Sequence, residues 1–263
     1  MGFYEWFVLE EGRTPEGMFS FAHLASVTIA LALFGVLAFF LAKKFKNEPK
    51  KQNIVILIDG ILILLFQCIK IGYFLATTTD SFWSVIIGNA PLYLCDMMIF
   101  LIPICALVRG RAKEICYDFI AIWGLLMGVL GTYTAGNIYG SHCAISYSAF
   151  MSLFNHCFSA FAGLFIWLSG LNKMENKNMP WTIGVLVIYM TTALIIDYVD
   201  NHNFMFFFNG DGTPFTLFHN LVGGNKILYQ IEIYILQCGY MALFYVVYNA
   251  IKKSIANKKE KEA

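Results

Sequence analysis

Lys43-Lys44-Phe45-Lys46-Asn47-Glu48-Pro49-Lys50-Lys51 decides how this chain is read. Five lysines in nine residues sit between two long apolar runs, 19–42 and 53–77. Further basic clusters follow at Arg109–Lys113, Lys173–Lys177 and Lys252–Lys261, and together the four hold fifteen of the 18 Lys and Arg residues. Short loops that stay in the cytoplasm keep Lys and Arg, so every second connection is expected inside.

A hydrocarbon core of roughly 30 Å takes about 20 residues at 1.5 Å rise. Seven stretches reach that length: 19–42, 53–77, 84–108, 115–135, 147–171, 180–199 and 226–251. The expectation is an all-α membrane protein, a single domain over 1–263 built as a bundle of seven transmembrane helices. Its N-terminus lies outside and its C-terminus in the cytoplasm. The acidic leader, with Glu5, Glu10, Glu11 and Glu16 against Arg13, precedes an apolar run too long for a cleaved signal peptide.

Composition agrees. The chain is 59% hydrophobic and 13% charged, with mean hydropathy +0.64, where a soluble domain carries about a quarter charged residues. A net charge of +1 provides no basic field for nucleic acid. No internal repeat is evident, which argues against a transporter of inverted halves. The seven cysteines form no CxxC and no metal-type spacing with histidine. Neither a disulfide framework nor a metal or other cofactor is expected.

Function must lie in polar residues buried at membrane depth, because each is costly there. The first span holds His23 near its outer end. The second holds Asp59, Gln67 and Lys70, with Asp59 and Lys70 roughly 16 Å apart along one helix and unable to pair. The third carries Pro91, Cys95, Asp96 and Pro103, and its prolines predict a bend. The fourth has Gly124, Gly128 and Gly131, read as close helix packing, with Asp118 hydrated at its inner end. The fifth aligns Ser148, Ser152, Asn155, His156, Ser159 and Gly163 on one face. The seventh offers Gln230 and Glu232, the latter a counter-charge for Lys70. By depth, Cys95 and His156 lie near mid-membrane, with His23, Lys70, Gln230 and Glu232 above them toward the outer side. The outer segment 200–225, rich in phenylalanine, either caps the resulting cavity or lies in the membrane interface. An isolated cysteine is usually a small apolar filler and an isolated histidine often a helix-to-helix tether, so the residues alone leave enzyme, carrier, channel and small-molecule binder open.

Several short motifs add a resemblance. Leu94-Cys95-Asp96, His23, Asn155-His156, Tyr229-Gln230-Ile231-Glu232 and Asn203-Phe204-Met205-Phe206 followed by Gly212-Thr213-Pro214 resemble the YwaF-type bacterial membrane proteins. These are grouped with the transmembrane protein 164 acyltransferases. The family's usual Asn-Tyr-Met stands here as Asn203-Phe204-Met205. The resemblance implies a multi-pass enzyme of the bacterial plasma membrane that moves a fatty acyl group between phospholipids through a Cys thioester. It implies Cys95 as nucleophile and His156 as base. Asn155, Gln230 or a backbone N–H would stabilise the oxyanion. Because a thiolate and not a thiol attacks, an apolar site needs such a base to take the proton.

Overall fold

The computed structural model describes residues 2–211 and 213–262, without the side chains of 255 and 258–262. Gly212, part of the last motif above, lies outside the described residues. In chain order the elements are α1 (Phe3–Phe7), α2 (Phe21–Lys44), α3 (Pro49–Thr77), α4 (Phe82–Gly88), α5 (Met97–Leu107) and α6 (Gly110–Phe119). A π-helical segment, Ile120–Gly124, leads into α7 (Leu125–Tyr133), followed by α8 (Gly136–Tyr139), α9 (Tyr147–Ser169) and α10 (Met179–Asp200). A 3-10 turn (Phe204–Phe206), α11 (Phe215–Leu221) and α12 (Lys226–Glu262) complete the chain. Every regular element among the described residues is helical.

Local chemistry sets the ends. Ser20 caps α2 by accepting from the His23 N–H, and Ser146 caps α9 by accepting from the Ala149 N–H. Pro49 opens α3, where its missing N–H costs nothing. Gly170, at φ 66°, closes α9 in the left-handed conformation that glycine takes most easily.

Six stretches are long and apolar enough to cross a membrane: α2, α3, Gly110–Tyr139, α9, α10 and Lys226–Ser254. Their outward faces stay apolar. Ile29, Leu33 and Phe40 on α2, Ile58 and Ile61 on α3, Ile188 and Val199 on α10, and Ile235 on α12 are all exposed. No soluble monomer leaves so continuous a greasy belt, and the chain is a multi-pass membrane protein.

The expected span 84–108 is not one bent helix. It is broken into α4 and α5 by eight irregular residues, 89–96. The eleven-residue α5 covers only about half the hydrocarbon thickness. Pro91 explains the break: it lacks an N–H and disfavours helix at Ala90 before it. The freed carbonyls find donors on other helices. Gln67 on α3 donates to the Asn89 carbonyl at 2.9 Å, and the Tyr189 hydroxyl on α10 donates to that of Pro91, with the Tyr93 carbonyl 3.2 Å away. Irregular backbone survives at bilayer depth only when satisfied this way or facing a cavity. Both conditions hold here.

α9 is the central helix, packed by α2, α3, α5, α7 and the π segment. Its small residues make that possible. A Cβ on Gly163 would lie 2.7 Å from the Leu125 nitrogen, and one on Gly128 would lie 2.7 Å from the His156 carbonyl oxygen. The π segment's loosened Ala121 carbonyl accepts from the Trp167 indole at 2.8 Å. Asp118, expected to be hydrated, is instead fully buried. It accepts from the Met174 N–H (3.1 Å) and the Tyr245 hydroxyl (2.9 Å), tying α6 to the 171–178 loop and α12.

Candidate active site

A cavity of about 480 Å³ opens beside the break in the third span. Its walls come from α3 (Gln67, Lys70), the broken segment (Asn89–Asp96), the end of α7 (Leu130, Gly131) and α9 (Ser148, Ser152, Asn155, His156). Gln237 of α12 also reaches it. The polar face of α9 is thus divided. Its N-terminal part, Ser148 to His156, lines the cavity, while Ser159 turns back to its own helix, donating to the Asn155 carbonyl at 2.9 Å.

Cys95 is half-buried, and its Sγ has one polar neighbour, Asp96 Oδ1 at 3.9 Å. The same oxygen accepts from Asn155 Nδ2 at 2.7 Å, so the break is tied directly to α9. Among the described residues, the N–H groups of Leu94 and Cys95 donate to no acceptor, whereas Asp96, Met97 and Met98 send theirs back into the turn.

His156 is buried, and neither ring nitrogen has a hydrogen-bond partner among the described residues. The ring lies against Gly131, where any Cβ would overlap it. Gly131 reads in the sequence as part of a packing motif, and here it makes room for the imidazole. Cys95 and His156 line one cavity but do not hydrogen-bond to each other.

Lys70 lines the cavity without an ion-pair partner among the described residues. The expected pairing with Glu232 is not made. Glu232 is not among the cavity-lining residues, and its Oε2 is buried with no partner among the described residues. Three more expected cavity residues lie elsewhere. His23 is fully buried: its Nδ1 accepts from the Phe19 N–H at 2.9 Å, its Nε2 meets the Thr132 carbonyl at 3.0 Å, and its ring packs on Tyr139. Gln230 bonds to the Tyr198 hydroxyl at 3.0 Å. Asn203 braces its own loop, accepting from the Phe208 N–H at 2.8 Å and donating to Asn209.

That loop forms one wall of the cavity. Met205, Phe206, Thr213, Pro214 and Phe215 all line it. Met205 (φ 53°) and Phe206 (φ 62°) are consecutive residues in the left-handed region, a strained arrangement for non-glycines. The strain is held by Asp197, which accepts from the Phe204 N–H at 2.7 Å. Phe206 stacks on Phe215 and faces Tyr93 of the break at 5.5 Å. These contacts decide between the two expectations for the segment: it covers the cavity. Gln67, Tyr93 and Tyr189, which hold the site together, were not singled out from the sequence as site residues. The one local signal was Pro91.

The leader closes another edge. Glu10 accepts from the Cys143 N–H at 2.5 Å and contacts His142 Nδ1 at 2.7 Å. Glu16 accepts from the Ala144 N–H at 2.8 Å, and Arg13 donates to the Ile145 carbonyl at 2.8 Å. His142 itself lines the cavity. Cys143 does not line the cavity, and burial and the Glu10 carboxylate push its thiol up to about 11.

The model of the TMEM164 family matches residues 18–248. No curated protein and no solved structure matches the chain. The match runs from the start of the first span to near the end of the last and takes in every wall of the cavity. This multi-pass membrane protein belongs to the TMEM164 family.

Proposed function

We propose that the chain is a lipid acyltransferase whose reaction occurs in this cavity. Cys95 is the nucleophile and His156 the base. His156 takes the thiol proton, and the thiolate attacks an ester carbonyl of a donor phospholipid. The C–O bond breaks, a thioester forms on Cys95, and His156 returns the proton to the departing lysolipid oxygen. A second lipid hydroxyl then gives its proton to His156 and attacks the thioester, and the Cys95 thiol is restored. The Leu94 and Cys95 N–H groups are the oxyanion donors, and Lys70 holds the lipid phosphate.

One observation carries this reading: Cys95, its neighbour Leu94 and His156 line one cavity at bilayer depth, with no backbone acceptor for the Leu94 and Cys95 N–H groups and no partner for the imidazole among the described residues. The missing thiol–imidazole hydrogen bond is compatible with it, since such bonds often tighten only with substrate bound. A carrier or channel draws less support, because Asp59 and Asp118 lie outside the cavity and add no polar path toward the lysine-rich side.

The wider reading is one domain of seven passes, with α4 and α5 together forming a discontinuous third. The N-terminus is outside, the C-terminus cytoplasmic, and the location a bacterial plasma membrane. The four basic clusters support this orientation. The direct test is intact-protein mass spectrometry after incubation with phospholipid. A single acyl adduct that maps to Cys95 is expected. A Cys95→Ser variant with full lipid-remodelling activity would sink the nucleophile assignment.

A further inference from the structure

α2 and α3 are consecutive in sequence and both pack on α9. A cleft of about 310 Å³ nevertheless remains between them, at the end where the Lys43–Lys51 loop joins them. Leu37 and Leu41 form one wall, Ile58 and Leu62 the other, and Phe158 and Phe161 of α9 the floor. The wall from Lys51 to Leu62 is about 16 Å long, roughly half a 30 Å hydrocarbon core and so the depth of one leaflet.

The mouth is cationic. Phe45 lines it, with Lys44 Nζ 5.5 Å and Lys51 Nζ 5.8 Å from its ring centroid. Lys43, Lys46 and Lys50 belong to the same loop, and its one carboxylate, Glu48, pairs with Lys51 at 2.6 Å. Asp59 also lines the cleft, but eight residues beyond Lys51, about 12 Å deeper than a headgroup at the mouth.

The geometry points to a site for one anionic phospholipid, with an acyl chain in the cleft and the headgroup phosphate between Lys44 and Lys51. Charge selects the occupant: a zwitterionic lipid would bring a second cation into an already cationic mouth. The site is separate from the reaction cavity and does not depend on the acyltransferase reading.

The test is native mass spectrometry of the full chain in detergent with added phosphatidylglycerol or phosphatidylcholine. A Cys95→Ala, Lys70→Gln background removes retention through the reaction cavity. One retained phosphatidylglycerol is expected. At about 1 kcal/mol per surface lysine, two lysines give a preference of roughly 30-fold over phosphatidylcholine. Lys44→Gln with Lys51→Gln should abolish most of that preference. Leu62→Trp, which fills the deep end of the cleft and leaves the lysines intact, should lower retention of both lipids at least several-fold. Equal retention of the two lipids, or a preference that survives the double lysine change, would overturn the proposal. So would normal retention by Leu62→Trp, because the lipid would then lie on the loop and not in the cleft.

Discussion

Asn155 Nδ2 donates to Asp96 Oδ1 at 2.7 Å, linking the residue before His156 to the residue after Cys95. The two proposed catalytic side chains sit on separate elements, a broken span and a continuous helix, and this bond sets their registry. Asn155→Ala leaves a half-buried carboxylate with only the weak Cys95 thiol as donor, at a cost of about 1–3 kcal/mol. The expected outcome is a lower unfolding midpoint in detergent together with slower adduct formation on Cys95. Asp96→Asn keeps an oxygen acceptor and should lose less of both. Unchanged stability and adduct rate in Asn155→Ala would show that the bond sets nothing.

Gly131→Ala places a methyl group inside the volume of the His156 ring. Overpacking of this kind costs about 1–3 kcal/mol, and the ring must move. Helix content by circular dichroism should survive while Cys95 acylation falls at least about tenfold. Gly184→Ala is the control. Gly184 lies inside α10 with open space around it, so helix propensity alone predicts a gain of about 0.5–1 kcal/mol.

Tyr189→Phe removes the hydroxyl that donates to the Pro91 carbonyl and lies 3.2 Å from that of Tyr93. The Pro91 carbonyl then lacks a donor at bilayer depth, while that of Tyr93 keeps the N–H groups of Asp96 and Met97, and the segment loosens by about 1–3 kcal/mol. Cys95 should react several-fold faster with a membrane-permeant maleimide. Identical labelling in wild type and variant would mean that the break is held by other contacts.

Glu10 predicts a response of the N-terminal leader to acid. Burial pushes its carboxyl up, but the Cys143 N–H and His142 outweigh burial and leave it below its ordinary value of 4.5. A depressed carboxyl stabilises fully above its unfolded value, and the stability is lost as pH falls through the folded one. The leader should therefore stay docked at neutral pH and loosen only on acidification below 4.5. Hydrogen exchange over residues 2–19 measures this. Glu10→Gln should lack the acid transition; a wild-type leader that instead opens near neutrality would contradict the assignment.

The basic clusters and the apolar lengths made most helices legible before any coordinates. The third span shows where such reading stops. Pro91 signals an irregularity, but only Gln67 and Tyr189, distant in sequence, turn a bend into an eight-residue break. His23 and His156 look alike as intramembrane histidines. They differ because the backbone groups of Phe19 and Thr132 occupy the ring of His23, while His156 meets a bare glycine. Helical spacing says little about azimuth. Lys70 and Glu232 are expected at one depth, yet only Lys70 lines the cavity.

The break also constrains the order in which the protein can be built. Gln67 is already made when Asn89 emerges, but Tyr189 lies 98 residues beyond Pro91. Until α10 is in the bilayer, the Pro91 carbonyl has no donor at its final depth, where an unsatisfied group costs several kcal/mol. The break that carries Cys95 is therefore fully tied only once α10 is in place, late in synthesis.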